Sequence, residues 1–277
     1  MIDHARLVAD LLPAVLEAGA VEMAYYQGGV TVETKADASP VTAADKEAEV
    51  ILVAALERAA PGIPVVAEEA VAEGRIPDLG ARFFLVDPLD GTREFINKRD
   101  EFTVNVALVD KGEPCFGIVY VPALGDLYVT LGDRKAAMAR IAPQRPAPVA
   151  PRVAFQSIEV RRPDMTALTA VASRSHASPE TATYLDQYAI AARRDAGSSL
   201  KFCLIARGEA DIYPRLGPTM AWDTAAGHAV LRAAGGCVTD IANRPLTYGR
   251  SAGETPLDRL RNPHFVAWGA AAPFPKS

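Results

Sequence analysis

The stretch of sequence with the most chemical content is DPLDGT at residues 87–92, where two carboxylates stand three residues apart. Asp87 and Asp90 follow a continuous apolar run at residues 83–86, which predicts that both project from the end of a buried strand, with a proline fixing the bend between them. Close carboxylates repel each other unless a cation lies between them, and hard divalent cations prefer oxygen ligands. The pattern therefore predicts a divalent metal site, to which the Leu89 carbonyl can add a ligand.

Gly91 and Thr92 follow this pair and open a short helical turn predicted at residues 93–96. The first N–H groups of such a turn point outward, where a phosphate could lie beside the cations. The alternative is an ordinary strand-to-helix turn in which Asp90 or Thr92 is only a cap. Other carboxylates in the chain must decide between the two.

Three further acids are candidates, and each also has a structural explanation. Glu68 ends a short predicted strand whose end an adjacent buried strand would bring close to Asp87, although exposed acid pairs such as Glu68-Glu69 are common. Asp223 begins a predicted helix, where an N-cap is the alternative. Asp45 also begins a predicted helix, and there a favourable interaction with the helix dipole is the alternative.

Taken together, these acids fall in motifs that resemble one known pattern in the same order. From residue 41 to about residue 236 the chain resembles the inositol monophosphatase superfamily of Mg²⁺-dependent, lithium-sensitive phosphomonoesterases, through the motifs VTAAD (41–45), VVAEE (65–69), DPLDGT and WDTAAG (222–227). Within that superfamily the chain looks like the CysQ-type 3'(2'),5'-bisphosphate nucleotidases, through SRSH (173–176), GSSLKF (197–202), YPRLGP (213–218) and WDTAAGHAVL.

The resemblance implies an α/β fold of alternating αβαβα layers. An N-terminal half, residues 1–150, would carry metal-binding carboxylates, and a C-terminal half, residues 151–277, would carry nucleotide-binding residues and the last metal ligand. The halves would form one compact unit with the site between them. The implied cofactor is Mg²⁺, two or three ions, held by Glu68, Asp87, the Leu89 carbonyl, Asp90 and Asp223.

The resemblance also implies roles in catalysis and substrate binding. Asp45, Glu68 and Thr92 would position and deprotonate the attacking water. Substrate contacts are implied for Asp90, Gly91, Thr92, His176, Ser198, Lys201, Arg215 and Asp223. For His176 the alternative is a loop histidine that caps the following helix, and for Lys201 it is a lysine that buries its stem and keeps its charge in water.

The implied activity is hydrolysis of adenosine 3',5'-bisphosphate to AMP and phosphate, linked to sulfur assimilation. One alternative is an inositol or sugar phosphatase on the same scaffold, distinguished by whether the SRSH and GSSLKF region faces a base or an inositol ring. A second alternative is a non-catalytic nucleotide-sensing protein, which is disfavoured because no metal-ligand position in the motifs is replaced.

Composition narrows the partners and the cellular compartments that can be expected for the protein. Twenty-nine Lys and Arg against 34 Asp and Glu give a formal net charge of −5, which predicts no nucleic-acid partner. The three cysteines lack the paired spacing of zinc ligands, so unpaired thiols in a reducing cytoplasm are expected. No apolar run approaches the roughly 20 residues of a transmembrane helix, so at most peripheral contact with the inner membrane is expected. The expected oligomeric state is a monomer or homodimer.

Periodicity and turn signals predict the helices and strands on which these residues lie. A long amphipathic helix is predicted before Gly28-Gly29 and a second over residues 43–60. Alternating patterns between residues 83 and 130 predict an antiparallel meander stacked on these helices. Residues 142–151 contain four prolines and are the predicted linker. Beyond them, strands alternate with helices, which predicts a second α/β layer set.

Overall fold

The computed structural model describes residues 2–29, 32–34, 40–148, 151, 153–173, 179–249 and 255–269. Across these residues the chain builds a seven-stranded sheet, a five-stranded sheet and a two-stranded pair, with α-helices covering the sheets. The predicted class, an α/β fold of alternating layers, is confirmed. In the described part of the chain, no helix is both long and apolar enough to cross a membrane.

Two long helices form the first layer. α1 (His4–Gly28) begins where Asp3 accepts a hydrogen bond from the Arg6 N–H at 3.0 Å. A pair of antiparallel strands, β1 (Val32–Thr34) and β2 (Pro40–Thr42), then leads into α2 (Ala43–Ala59), which packs against α1. The apolar faces of both helices lie on the seven-stranded sheet and form one core with it.

The seven-stranded sheet follows chain order, and the short helices α3 (Glu68–Ala72) and α4 (Thr92–Ile96) leave it after its first two strands. β3 is parallel to β4, and every later pair is antiparallel, which confirms the predicted meander. The strands are β3 (Val65–Ala67), β4 (Arg82–Asp90), β5 (Thr103–Asp110), β6 (Glu113–Val121), β7 (Asp126–Gly132), β8 (Lys135–Arg140) and β9 (Gln156–Ile158).

The remaining segments form the five-stranded sheet, in the order β11-β10-β12-β14-β13, together with three helices. The strands are β10 (Leu168–Ser173), β11 (Ile190–Ala196), β12 (Ile212–Arg215), β13 (Cys237–Asp240) and β14 (Phe265–Trp268). The helices are α5 (Pro179–Leu185), α6 (Leu200–Ala206) and α7 (Ala221–Ala233).

α7 lies across the seven-stranded sheet and joins the two sheets into one hydrophobic core. Gly117 of β6 allows the close approach, because a side chain there would collide with the backbone carbonyl of Ala226 on α7. The N-terminal end of α7 therefore reaches the place where β3 and β4 end, and this meeting point contains the candidate site.

Candidate active site

The ends of β3, β4 and α7 bring three carboxylates together. Ala67 lies opposite Val86 in the parallel register, so the next residues, Glu68 after the end of β3 and Asp87 within β4, lie side by side. Asp223 reaches them from the first turn of α7. One carboxylate oxygen from each of the three lies within 4.8 Å of the other two.

A bulge in β4 directs Asp90 to the same place. The register with β5 shifts between Asp87 and Asp90, and both side chains line one cavity, whereas residues three apart in a regular strand face opposite sides. The Asp90 carboxylate accepts hydrogen bonds from the Ser199 N–H at 2.7 Å and from the Asn105 amide at 3.3 Å. Asp90 therefore links β4 to the start of α6.

We call Glu68, Asp87, Asp90 and Asp223 the acidic set. Burial is the largest cause of the raised pKa values of Asp87 and Asp223, which lie well above the usual range, and repulsion within the set adds to it. Burial also raises the pKa of Asp90 to about 6, although Lys201 and the Ser199 N–H oppose this change. Clustered, desolvated oxygen ligands are the donors that a hard divalent cation prefers, so the residues fit Mg²⁺.

Thr92 connects the acidic set to α2. Its hydroxyl donates to Asp45 Oδ1 at 3.4 Å and lies 3.4 Å from the carbonyl oxygen of Leu89, which also lines the cavity. The other oxygen of Asp45 accepts the N–H of Thr42 at 2.8 Å and its hydroxyl at 2.6 Å. Asp45 thus completes a capping box on α2 while one of its oxygens faces Thr92.

The backbone of Gly91 lies close to the hydroxyl of Ser198, beside Thr92. Gly91 has a φ of 93° and Ser198 a φ of 52°, and a side chain at Gly91 would collide with the Ser198 hydroxyl. That hydroxyl donates to the backbone carbonyl of Asp90 at 2.7 Å. Both residues line the cavity, so the contact joins the DPLDGT turn to the segment that precedes α6.

Two buried cations, Lys201 and Arg215, line the same cavity of about 260 Å³, and we call them the cationic pair. The Lys201 ammonium lies 5.3 Å from the centre of the Tyr213 ring. Burial lowers the pKa of Lys201 to about 8, although the charge of Asp90 opposes this shift. Arg215 Nη2 donates to the Pro218 carbonyl at 3.0 Å, and among the described residues its Nε has no hydrogen-bond partner.

The structure therefore brings together every predicted site residue that it describes, and His176 lies outside the described residues. Sequence reasoning missed several residues that line the same cavity. Glu94 carried a signal, since it is an acid two residues after Thr92, and the structure buries it. The other missed residues are Arg93, Phe202, Tyr213, Pro218, Thr219 and Thr224.

The fold and site define a class of phosphatase. The inositol monophosphatase family model matches residues 5–264, and the chain belongs to that family. An inositol monophosphatase from Zymomonas mobilis superimposes with a TM-score of 0.72 at 25% identity, covering 95% of this chain and 92% of that one.

Within the family, the chain is similar to CysQ proteins. It is 43% identical over 252 residues to the 3'(2'),5'-bisphosphate nucleotidase CysQ of Shigella flexneri, covering 90% of this chain and 94% of the relative. The crystal structure of CysQ from Bacteroides thetaiotaomicron superimposes with a TM-score of 0.76 at 34% identity, covering 98% of each chain. The resemblance predicted from the motifs is confirmed.

Proposed function

We propose that this chain is a Mg²⁺-dependent phosphomonoesterase that hydrolyses adenosine 3',5'-bisphosphate to AMP and phosphate. The observation that carries the proposal is a single cavity lined by both the acidic set and the cationic pair. The acidic set suits metal-assisted phosphate chemistry, and the cationic pair suits a substrate with a second phosphate. The similarity to CysQ nucleotidases supports the same substrate class.

Two or three Mg²⁺ ions would be held by the acidic set and the Leu89 carbonyl. When bound, such ions lower the pKa of a coordinated water and stabilise the charge that develops on the phosphate. Glu68, Asp87 and Asp223 come from three different elements, so the ligands converge only in the folded chain. The net charge of −5 is no obstacle, because the cations attract the phosphate.

Thr92 and Asp45 would orient the attacking water and take its proton. The Thr92 hydroxyl accepts a hydrogen bond from the water while it donates its own proton toward Asp45 Oδ1. The water oxygen forms the new bond to phosphorus, the bond from phosphorus to the 3'-oxygen of the ribose breaks, and solvent reprotonates that oxygen. In this proposal Glu68 assists in positioning the same water.

Lys201 and Arg215 would bind the phosphate that is not cleaved. A buried phosphate without a charged partner is costly, and the two side chains supply hydrogen-bond donors within the cavity. Ser198 and Gly91 shape the adjoining backbone. His176 remains a proposed substrate contact, together with Asp90, Thr92 and Asp223.

An inositol or sugar phosphatase is the second candidate, since the family includes inositol monophosphatases. Inositol 1-phosphate has no second phosphate, which would leave two buried cations facing an uncharged ring. A nucleotide-sensing protein without catalysis is disfavoured, because the acidic set is intact and assembled beside Thr92. From the family resemblance we further propose a role in sulfur assimilation, in the cytoplasm, as a monomer or homodimer.

The test is phosphate release from adenosine 3',5'-bisphosphate and from inositol 1-phosphate, each with Mg²⁺ and with a chelator. We expect kcat/KM for the bisphosphate to exceed that for inositol 1-phosphate by more than about tenfold, because each charge-assisted contact to the second phosphate is worth about tenfold or more. The chelator should abolish both activities. A preference for inositol 1-phosphate, or turnover that survives the chelator, would contradict the proposal.

A further inference from the structure

Glu49 lies on α2, but its side chain caps the N-terminus of a different helix, α3. Its carboxylate accepts the backbone N–H of Glu69 at 2.7 Å and that of Ala70 at 2.9 Å. These are the second and third residues of α3, whose first residue is Glu68. Ala67, the N-cap residue of α3, offers no side-chain hydrogen bond. Glu49 therefore satisfies N–H groups that a capping serine or aspartate would normally bind.

Glu68 is the member of the acidic set with the weakest local support. It follows β3, a three-residue strand at the sheet edge, and opens a helix of five residues that is too short to be stable alone. In contrast, Asp87 and Asp90 belong to a nine-residue strand and both pair with β5, and Asp223 belongs to a thirteen-residue helix. The position of Glu68 therefore depends on contacts from outside its own elements.

The contact made by Glu49 is specific in geometry and in burial. Its side chain is 7% exposed, and burial raises the pKa of its carboxyl while the two backbone hydrogen bonds lower it. Only a carboxylate offers two acceptor oxygens in one plane to two neighbouring N–H groups. Glu49 also lies one helical turn after Asp45, so α2 contacts both Thr92 and the base of α3.

We propose that Glu49 is a positioning residue that holds the first turn of α3 and thereby sets the Glu68 carboxylate against Asp87 and Asp223. This inference rests on the proposed function only in taking Glu68 as a Mg²⁺ ligand. Glu49 touches no substrate or metal in this account and acts through the backbone of α3. Its loss should weaken Mg²⁺ binding more than it changes folding.

The test compares Glu49→Gln with Glu49→Asp, with Glu57→Gln as the matched control. Gln keeps the size but has a single acceptor oxygen, so one of the two N–H groups loses its partner. Asp keeps the charge but is one methylene shorter, about 1.5 Å, so it cannot reach both N–H groups. Glu57 is an exposed acid on the same helix, and its replacement removes the same charge without touching α3.

The measurement is the Mg²⁺ dissociation constant by titration calorimetry on the folded protein, with thermal unfolding of the metal-free protein recorded beside it. We expect both Glu49 variants to bind Mg²⁺ about tenfold more weakly, in line with a disturbed ligand position, and Glu57→Gln to bind within twofold of wild type. Mg²⁺ affinity within twofold of wild type in Glu49→Gln would overturn the inference.

Wild-type affinity in Glu49→Asp would also overturn it, since Glu49 would then act through charge alone. If Glu49→Gln does not fold, the Asp variant carries the same test. If the proposed function is wrong, the result is different, because the wild-type protein itself then shows no Mg²⁺ binding. Calorimetry needs no substrate, so the outcome does not depend on which phosphate ester is cleaved.

Discussion

The acidic set and the cationic pair share one cavity, but they are supported in different ways. Asp87 and Asp90 are short side chains at the end of a central strand, and Asp223 is fixed in the first turn of α7, where its carboxylate accepts the Met220 N–H at 2.8 Å. Lys201 and Arg215 extend long side chains from α6 and β12. Short acids at the ends of elements have positions set by the backbone, whereas long cations depend on packing around their stems.

The acidic set and the cationic pair should also contribute to activity in different ways. The acids act as one unit, because a cation needs several ligands at once, so the loss of one member should disable the whole set. Each cation contributes a separate hydrogen-bonded contact to a phosphate, so its loss should cost one contact.

Asp90→Asn should reduce kcat/KM by on the order of 10²-fold or more at saturating Mg²⁺, since one charged ligand is lost. Metal-free stability should stay the same or rise, because burial makes the charged form of Asp90 costly, although the attraction of Lys201 opposes this effect. Initial rates and thermal unfolding measure the two effects. Asp133→Asn is the control, because that aspartate is 95% exposed. An Asn variant that turns over at nearly the wild-type rate would contradict the assignment of Asp90 as a ligand.

Thr92→Ala should lower kcat by on the order of 10²-fold with little change in KM, because the hydroxyl that links the water to Asp45 is removed. Thr92→Ser keeps the hydroxyl and should retain most of the activity. Steady-state kinetics on both variants separate kcat from KM. A Thr92→Ala defect confined to KM would instead make Thr92 a simple phosphate ligand.

Arg215→Ala and Lys201→Ala should each reduce kcat/KM for adenosine 3',5'-bisphosphate by about tenfold or more, the loss of one charge-assisted hydrogen bond of about 1.5–3 kcal/mol. Because both side chains are buried, thermal unfolding must accompany the kinetics, and Lys201→Met provides a variant of similar volume without the charge. Unchanged kinetics in the Met variant would show that Lys201 only packs the cavity.

Glu22 shows the effect of burying an acid away from the cavity. It is fully buried on α1, and neither of its oxygens has a hydrogen-bond partner among the described residues. Burial raises the pKa of its carboxyl well above the usual range, and the charge of Asp45 adds to the shift. The folded protein therefore keeps the proton after the unfolded chain has lost it, so this group lowers stability as pH rises above about 4.3.

Glu22→Gln should remove that dependence, because an amide does not titrate in this range. The free energy of unfolding of the variant minus that of wild type should increase from pH 5 toward pH 8, by about 1.4 kcal/mol per pH unit until the folded pKa is passed. Urea denaturation at several pH values measures the difference. A difference that stays constant with pH would mean that Glu22 is ionised in the folded protein.

The acidic set was easier to predict from the sequence than the rest of the molecule. Asp87 and Asp90 follow an apolar run, so their place at a strand end follows from local pattern. Asp223 is distant in sequence, and only the family resemblance linked it to them. Glu49 gave no signal, because a glutamate in a helix is typical of a solvated face, and its two N–H partners are visible only in three dimensions.

The five-stranded sheet was predicted least well, for a related reason. β11 forms its edge and is mostly exposed, with arginines and an aspartate along its length, so it shows no apolar alternation. In the seven-stranded sheet, β9 presents a similar problem: it pairs with β8 across the proline-rich segment, and no local pattern reports that pairing. Sequence patterns that depend on burial identify strands in the interior of a sheet. They do not identify strands that are defined only by their hydrogen bonds to a neighbouring strand.

The most direct test of the division between the acidic set and the cationic pair varies the substrate and Lys201 together. Wild type and Lys201→Ala are each assayed on adenosine 3',5'-bisphosphate and on adenosine 3'-phosphate, which differ only in the phosphate that is not cleaved. We expect Lys201→Ala to lose about tenfold or more in kcat/KM on the bisphosphate and less than about twofold on the monophosphate. Equal losses on both substrates would contradict this expectation, since Lys201 would then support the acidic set or the fold.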